Sequence, residues 1–267
     1  MSNRALILLL SSALSLSLLA CGGKKDEDAL LEGEEETAEP AAGTAAAPAP
    51  AAPAPAGSAT VTGKIAFQGT APKMEKLKLD ADAFCKAAHS QPIYAQEVVV
   101  NGNGTLQHVI VYVKEGLAGS FPTPSEPVVL DQKGCRYYPH VFGIQAGQPL
   151  KIVNSDDTLH NIHALPKTNE EFNIGQPFKG METLKKFDKL EMPVRFKCDV
   201  HKWMGAYAAV LNHPFFATTG DQGTFEIKNL PAGTYVIEAW HEKYGPQTQS
   251  VTVSGSESKA VDFTFKG

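Results

Sequence analysis

The body of this 267-residue chain has no charge of either sign to spare. Residues 1–59 hold three basic and eight acidic side chains, a net of −5, and the whole chain is also at −5. Residues 60–267 therefore balance at 21 against 21, which leaves no basic stripe for nucleic acid. A membrane-spanning run is missing too. The apolar stretch Ala5 to Ala20, behind Arg4, is too short and wrongly flanked to span and reads as a signal sequence. No Ser-His-Asp or paired-carboxylate arrangement announces itself, and no enzymatic role is expected. Of five methionines only Met204 belongs to a cluster, so a Met-rich surface is unsupported.

What the chain does have is concentrated in Cys198-Asp199-Val200-His201-Lys202-Trp203-Met204. A thiolate, an imidazole and a thioether stand three residues apart each time. Two soft sulfur donors around a nitrogen favour copper over magnesium, calcium or manganese. Zinc accepts Cys and His, but structural zinc usually takes four such donors and not Met. A trigonal blue-copper site needs a second His. The run Asp156-Asp157-Thr158-Leu159-His160-Asn161-Ile162-His163 offers one directly after a strand-like segment.

These residues carry a resemblance. From Val141 to Leu211 the chain resembles a cupredoxin of the plastocyanin and amicyanin type. Val141 to Asn154 reads like that family's strand, Ala-Gly turn and strand. His160-Asn161 matches its first ligand and the Asn that follows, and Phe196 through Met204 matches its ligand loop in the short amicyanin spacing. The resemblance implies an all-β, Greek-key β-sandwich holding one mononuclear copper on His160, Cys198, His201 and Met204. It assigns Asn161 to pinning the two ligand loops together. It also implies that His201 lies near the surface and serves as the electron port. Trp203 departs from the pattern, since a smaller residue or Pro is more usual there.

Absent donors narrow the chemistry further. Without a His-x-His pair a trinuclear cluster has no ligands, and without a second Cys near Cys198 a binuclear centre lacks its bridge. Strand alternation directs His163 to the face opposite His160. His140 reads as a neighbour of the site or a surface group, and His241 beside Trp240 as core. His89, His108 and His213 carry no constellation.

Around this region the chain divides by composition. Residues 1–20 form the signal, ending in Leu18-Leu19-Ala20-Cys21-Gly22, which resembles the lipobox of bacterial lipoproteins and implies acylation of Cys21. That places the protein in the bacterial cell envelope, lipid-anchored, periplasm-facing or on the outer-membrane surface. Residues 21–59, acidic and then rich in Ala and Pro, read as a disordered tether. With Cys21 and Cys198 assigned, Cys85 and Cys135 remain, and an exported chain allows them to form a disulfide. The bridge would close a loop of about fifty residues, worth about 4 kcal/mol of chain entropy.

Residues 60–140 read as a β-rich extension and 141–212 as the copper-site region. Residues 213–267 form an additional β-sandwich segment. There Asp221-Gln222-Gly223-Thr224-Phe225 and Leu230-Pro231-Ala232-Gly233-Thr234-Tyr235 resemble a carboxypeptidase-regulatory-like module. About 55 residues are too few for that module alone. Thr60 to Gln68 resembles its first strand, so either the copper region is inserted within it or the tail shares a sheet with it. The function expected is a membrane-anchored blue copper protein passing single electrons between redox protein partners. The alternative is a surface-displayed β-sandwich module binding carbohydrate or protein, with a structural or storage copper.

Overall fold

The computed structural model describes residues 57–267; the signal, Cys21 and nearly all of the tether lie outside the described residues. The chain runs β1 (Ala59–Gln68), α1 (Ala83–Ala87), β2 (Ile110–Glu115), β3 (Val128–Gln132), β4 (Tyr137–Tyr138), β5 (Val141–Gln145) and β6 (Leu150–Asn154). It continues with β7 (His160–Leu165), β8 (Phe172–Gln176), β9 (Glu182–Lys185), β10 (Glu191–Lys197) and β11 (Gly205–Leu211). The last six strands are β12 (Phe216–Thr218), β13 (Thr224–Leu230), β14 (Gly233–His241), β15 (Gly245–Val253), β16 (Ser258–Ala260) and β17 (Phe263–Lys266). The fold is all-β, as the resemblance implies.

Four sheets pair into two sandwiches. In the first, β5-β11-β10-β7-β8 faces β4-β3-β6-β9 across a core that includes Leu130, Ile144, Ile152, Ile162, Val194 and Phe196. In the second, β1 with β13, β16 and β17 faces β12-β2-β14-β15 across Val61, Ile65, Val111, Phe225, Ile237 and Phe263. The first sandwich is one uninterrupted excursion, β3 to β11, between β2 and β12 of the second. Strand β1 pairs with β13 antiparallel and with β16 and β17 parallel, which draws both ends of the described chain into one sheet. Residues 60–140 are thus not one extension. Strands β1 and β2 belong to the second sandwich, β3 and β4 to the first.

A third, smaller core joins the two. Alternate residues of a strand point to opposite faces, and β2, β5 and β11 use both. Val109, Val111 and Val113 enter the second sandwich, while Ile110 and Tyr112 turn the other way. There they meet Val141, Ala209, Leu211 and Trp240. Gly143 on β5 allows this approach, since a Cβ there would lie 2.3 Å from the Phe216 ring. The polar stretch Lys167 to Lys186 supplies β8 and β9, the edge strands of the two sheets of the first sandwich.

Candidate metal centre

His160 opens β7, and Cys198, His201 and Met204 lie in the loop from β10 to β11. That loop is tied across its own base: Cys198 N donates to Met204 O (3.3 Å) and Met204 N to His201 O (2.9 Å). The spacing of three residues thus folds into a turn with Cys198, His201 and Met204 all buried. The candidate donor atoms of His160, Cys198 and His201 lie within 4.8 Å of one another. The two Nδ1 atoms face each other at 2.9 Å. Asn161 Oδ1 accepts from Cys198 Sγ (3.2 Å) and from Asp199 N (2.6 Å), so it holds the ligand loop against β7.

Two carboxylates that the sequence reading passed over complete the arrangement. His160 Nε2 meets Asp156 Oδ2 at 2.9 Å, and His201 Nε2 meets Asp82 Oδ2 at 3.2 Å. Each carboxylate is itself fixed. Asp156 accepts from the backbone N–H groups of Gly134 and Cys135, both at 2.7 Å, and Asp82 caps α1 through Cys85 N and accepts from Thr158 Oγ1. When neutral, a ring held this way keeps its proton on Nε2 and presents a bare Nδ1. Burial alone would push the His160 imidazole down, but the Asp156 carboxylate and the Cys198 sulfur raise it to about 8. Burial likewise pushes the Cys198 thiol up, and hydrogen bonding to His160 and His201 outweighs it, bringing the thiol down to about 6.

The surface position expected for His201 is not found: the residue is 2 % exposed. Its cover comes from outside the sandwich. Cys85 on α1 is joined to Cys135 by a disulfide, and Cys85 Sγ lies 3.6 Å from His201 Nε2. Trp203 also packs on it, its ring centroid 5.0 Å from that of His201 and its Nε1 donating to Cys135 O (3.0 Å). The residue that departs from the family pattern therefore serves as a lid.

The other histidines fall elsewhere. His163 lies among Asp199 (2.9 Å) and Glu171 (2.7 Å), away from the donor cluster. His140 Nδ1 bonds Gly205 O (2.9 Å) and its Nε2 pairs with Glu242, so it bridges the ligand-loop strand to the β14–β15 turn. His241 is buried against Tyr244 and Phe265.

These features define an all-β protein of two sandwiches with a buried His-Cys-His candidate metal site in one of them. Residues 206–266 match the family model of the carboxypeptidase regulatory-like domain, which covers the strands from β11 to β17. No curated protein matches the chain. Among solved structures it is similar to a Cu-containing nitrite reductase (NirK) from Thermus scotoductus SA-01, with 22 % identity over 37 % of this chain and 25 % of that one and a TM-score of 0.30. This chain thus spans about a quarter of the reductase's length. It is also similar to a mutant of amicyanin in the Cu(I) state, with 17 % identity over 32 % of this chain and 81 % of that one and a TM-score of 0.28. A purple cupredoxin from Nitrosopumilus maritimus is 22 % identical over 28 % of this chain and 80 % of that one, with a TM-score of 0.25.

Proposed function

We propose that this protein is a mononuclear blue-copper carrier of single electrons, anchored in the bacterial envelope through Cys21 and serving redox protein partners. One observation carries the reading: two imidazole Nδ1 atoms and one acidified thiol converge in a buried pocket of a β-sandwich. That donor set suits copper, and zinc lacks the fourth Cys or His it prefers. His160, His201 and Cys198 would hold the metal, with Met204 from the same loop as the weak fourth donor. When bound, copper supplies reversible one-electron chemistry between Cu(II) and Cu(I). The chain's own part is to hold the donors. Asp156 and Asp82 orient the two imidazoles, Asn161 fixes the thiolate, and Trp203 with the Cys85–Cys135 bridge keeps water out.

The enclosure of His201 favours a second reading, a binding module whose copper is structural or stored. One optical and electrochemical experiment separates the two. Full-length chain given one equivalent of copper(II) is expected to show an intense visible thiolate-to-copper band, absent in Cys198→Ser, and to be reduced and reoxidised reversibly. Copper bound without that band would overturn the blue-copper assignment. A band with no electron exchange would leave the structural or storage reading.

A further inference from the structure

A groove of about 530 Å³ lies outside the donor cluster. The long connection from β1 to β2 forms most of its wall, and Arg136, from the β3–β4 turn, reaches in from the other sandwich. Its size suits a small organic molecule, and clefts between packed units are common places for one. Met74, Ile93 and Val98 make one side apolar.

The other side carries two nitrogens without partners. Arg136 Nη2 donates to Tyr94 O, but Arg136 Nε is buried and bonded to nothing. The guanidinium has no carboxylate partner among the described residues, although thirteen ion pairs form elsewhere in them. His108 Nε2 is also buried without a partner. Its backbone stands at φ 61, a left-handed conformation that non-glycine residues adopt seldom and that tends to persist at ligand sites. The hydrogen bond from His108 N to Thr219 O (2.9 Å) and the edge of the His140 ring, 4.9 Å away between centroids, hold it there. Burial first, then the fields of His140, His241 and Arg136, push His108 down to about 3, so its ring is neutral and has one N–H to give.

We propose that this groove binds a small amphipathic carboxylate, its charged end on the Arg136 guanidinium beside His108 and its hydrocarbon part along Met74, Ile93 and Val98. A single unpaired guanidinium matches a single negative charge, and an N–H fork reads a planar carboxylate better than a point charge does. A phosphate dianion would meet only one cation, and the apolar wall would have no use. The groove shares Tyr94, Ala95, Gln96 and Arg136 with a cavity of about 20 Å³ that borders Trp203 and Met204. The occupant would therefore sit beside the metal-binding loop.

Calorimetry on the full-length chain tests this, with hexanoate, hexanol and inorganic phosphate as probes. It is run on metal-free protein, so the result stands apart from the copper assignment. Hexanoate is expected to bind at one site at least about tenfold more tightly than hexanol or phosphate, the scale of one charged hydrogen bond. Arg136→Gln should lower hexanoate affinity about tenfold and leave hexanol unchanged. His108→Asn, whose backbone tolerates a positive φ, should weaken hexanoate severalfold, and Arg136→Lys should do the same by losing the fork. Equal binding of hexanoate and hexanol, no hexanoate binding, or full affinity in both the Arg136 and the His108 variants would overturn the proposal.

Discussion

The two sandwiches solve opposite packing problems. The second is filled mainly by apolar side chains, Val61, Ile65, Val111, Phe225, Ile237 and Phe263 among them. The first buries Cys198, His160, His201, Asn161 and Asp156 at one end of its core. Burying a polar group is tolerable only when it is hydrogen-bonded, and burying a charge only when it is paired. Every one of those five side chains has a partner here. The second sandwich, stitched from both ends of the described chain, carries the excursion β3 to β11 and leaves the first free to hold reactive groups. Stability and chemistry are thereby assigned to different halves.

The largest effect expected of that division comes from hollowing the second sandwich. Phe263 is fully buried on β17 and packs beside Phe225. Phe263→Ala should lower folding stability by about 3–5 kcal/mol through lost transfer energy and a residual cavity. Below its unfolding transition the variant should still bind copper with the wild-type spectrum. A spectrum altered under native conditions would mean that the two halves are not separable.

How much of this could be read beforehand depended on distance along the chain. The Cys198, His201 and Met204 spacing was legible because a single turn brings the three together. His160-Asn161 was legible because the pair opens a strand at a recognisable place. The Asp221 to Tyr235 motifs likewise announced β13, the turn after it and the start of β14. Asp156 stood in view four residues before His160, but a carboxylate near a histidine is common and nothing in the spacing marked it. Asp82 had no signal at all. It reaches His201 from 119 residues away only because α1 is docked and stapled through Cys85 to Cys135. The same docking buries His201, so the imidazole expected near the surface is enclosed. The insertion was legible only as one of two alternatives: pairing of Ile65 with Phe263 joins residues nearly two hundred positions apart, and local pattern does not choose between them.

The first sandwich is more sensitive to protons than to cavities. Loading a metal ion displaces whatever protons its donors hold. His160 is raised to about 8 and Cys198 lowered to about 6, in each case because the polar partners overcome burial. Above pH 8 neither proton is present; between 8 and 6 the one on His160 must leave; below 6 both must. Affinity for copper(II) should therefore fall with falling pH, by about tenfold per unit between 8 and 6 and about a hundredfold per unit below 6. Asp156→Asn removes the carboxylate that orients His160 and should cost about 10–100-fold in affinity at pH 7. Chelator competition from pH 5 to 9 reads both, and a flat affinity across that range would show that Cys198 and His160 do not bind the metal together.

The smallest effect isolates one hydrogen bond of the second sandwich. In Leu230-Pro231-Ala232-Gly233-Thr234-Tyr235 the tyrosine folds back on its own turn, and its hydroxyl donates to Pro231 O at 2.9 Å in a buried setting. Gly233 lies beneath the ring, where a Cβ would come within 2.9 Å of the phenolic oxygen, so the motif's glycine and tyrosine are one device. Tyr235→Phe keeps the ring and its packing but leaves the Pro231 carbonyl without that donor. The expected loss is about 1 kcal/mol, the net worth of one such bond. In thermal unfolding that is a downward shift of about 2–4 °C for a chain of this size. Copper affinity should not change, because the turn lies in the half that holds no donor. A variant as stable as the parent would mean that ring packing on Gly233, without the hydroxyl, sets the turn. A loss several times larger would mean that the bond anchors more of the sandwich than its own turn.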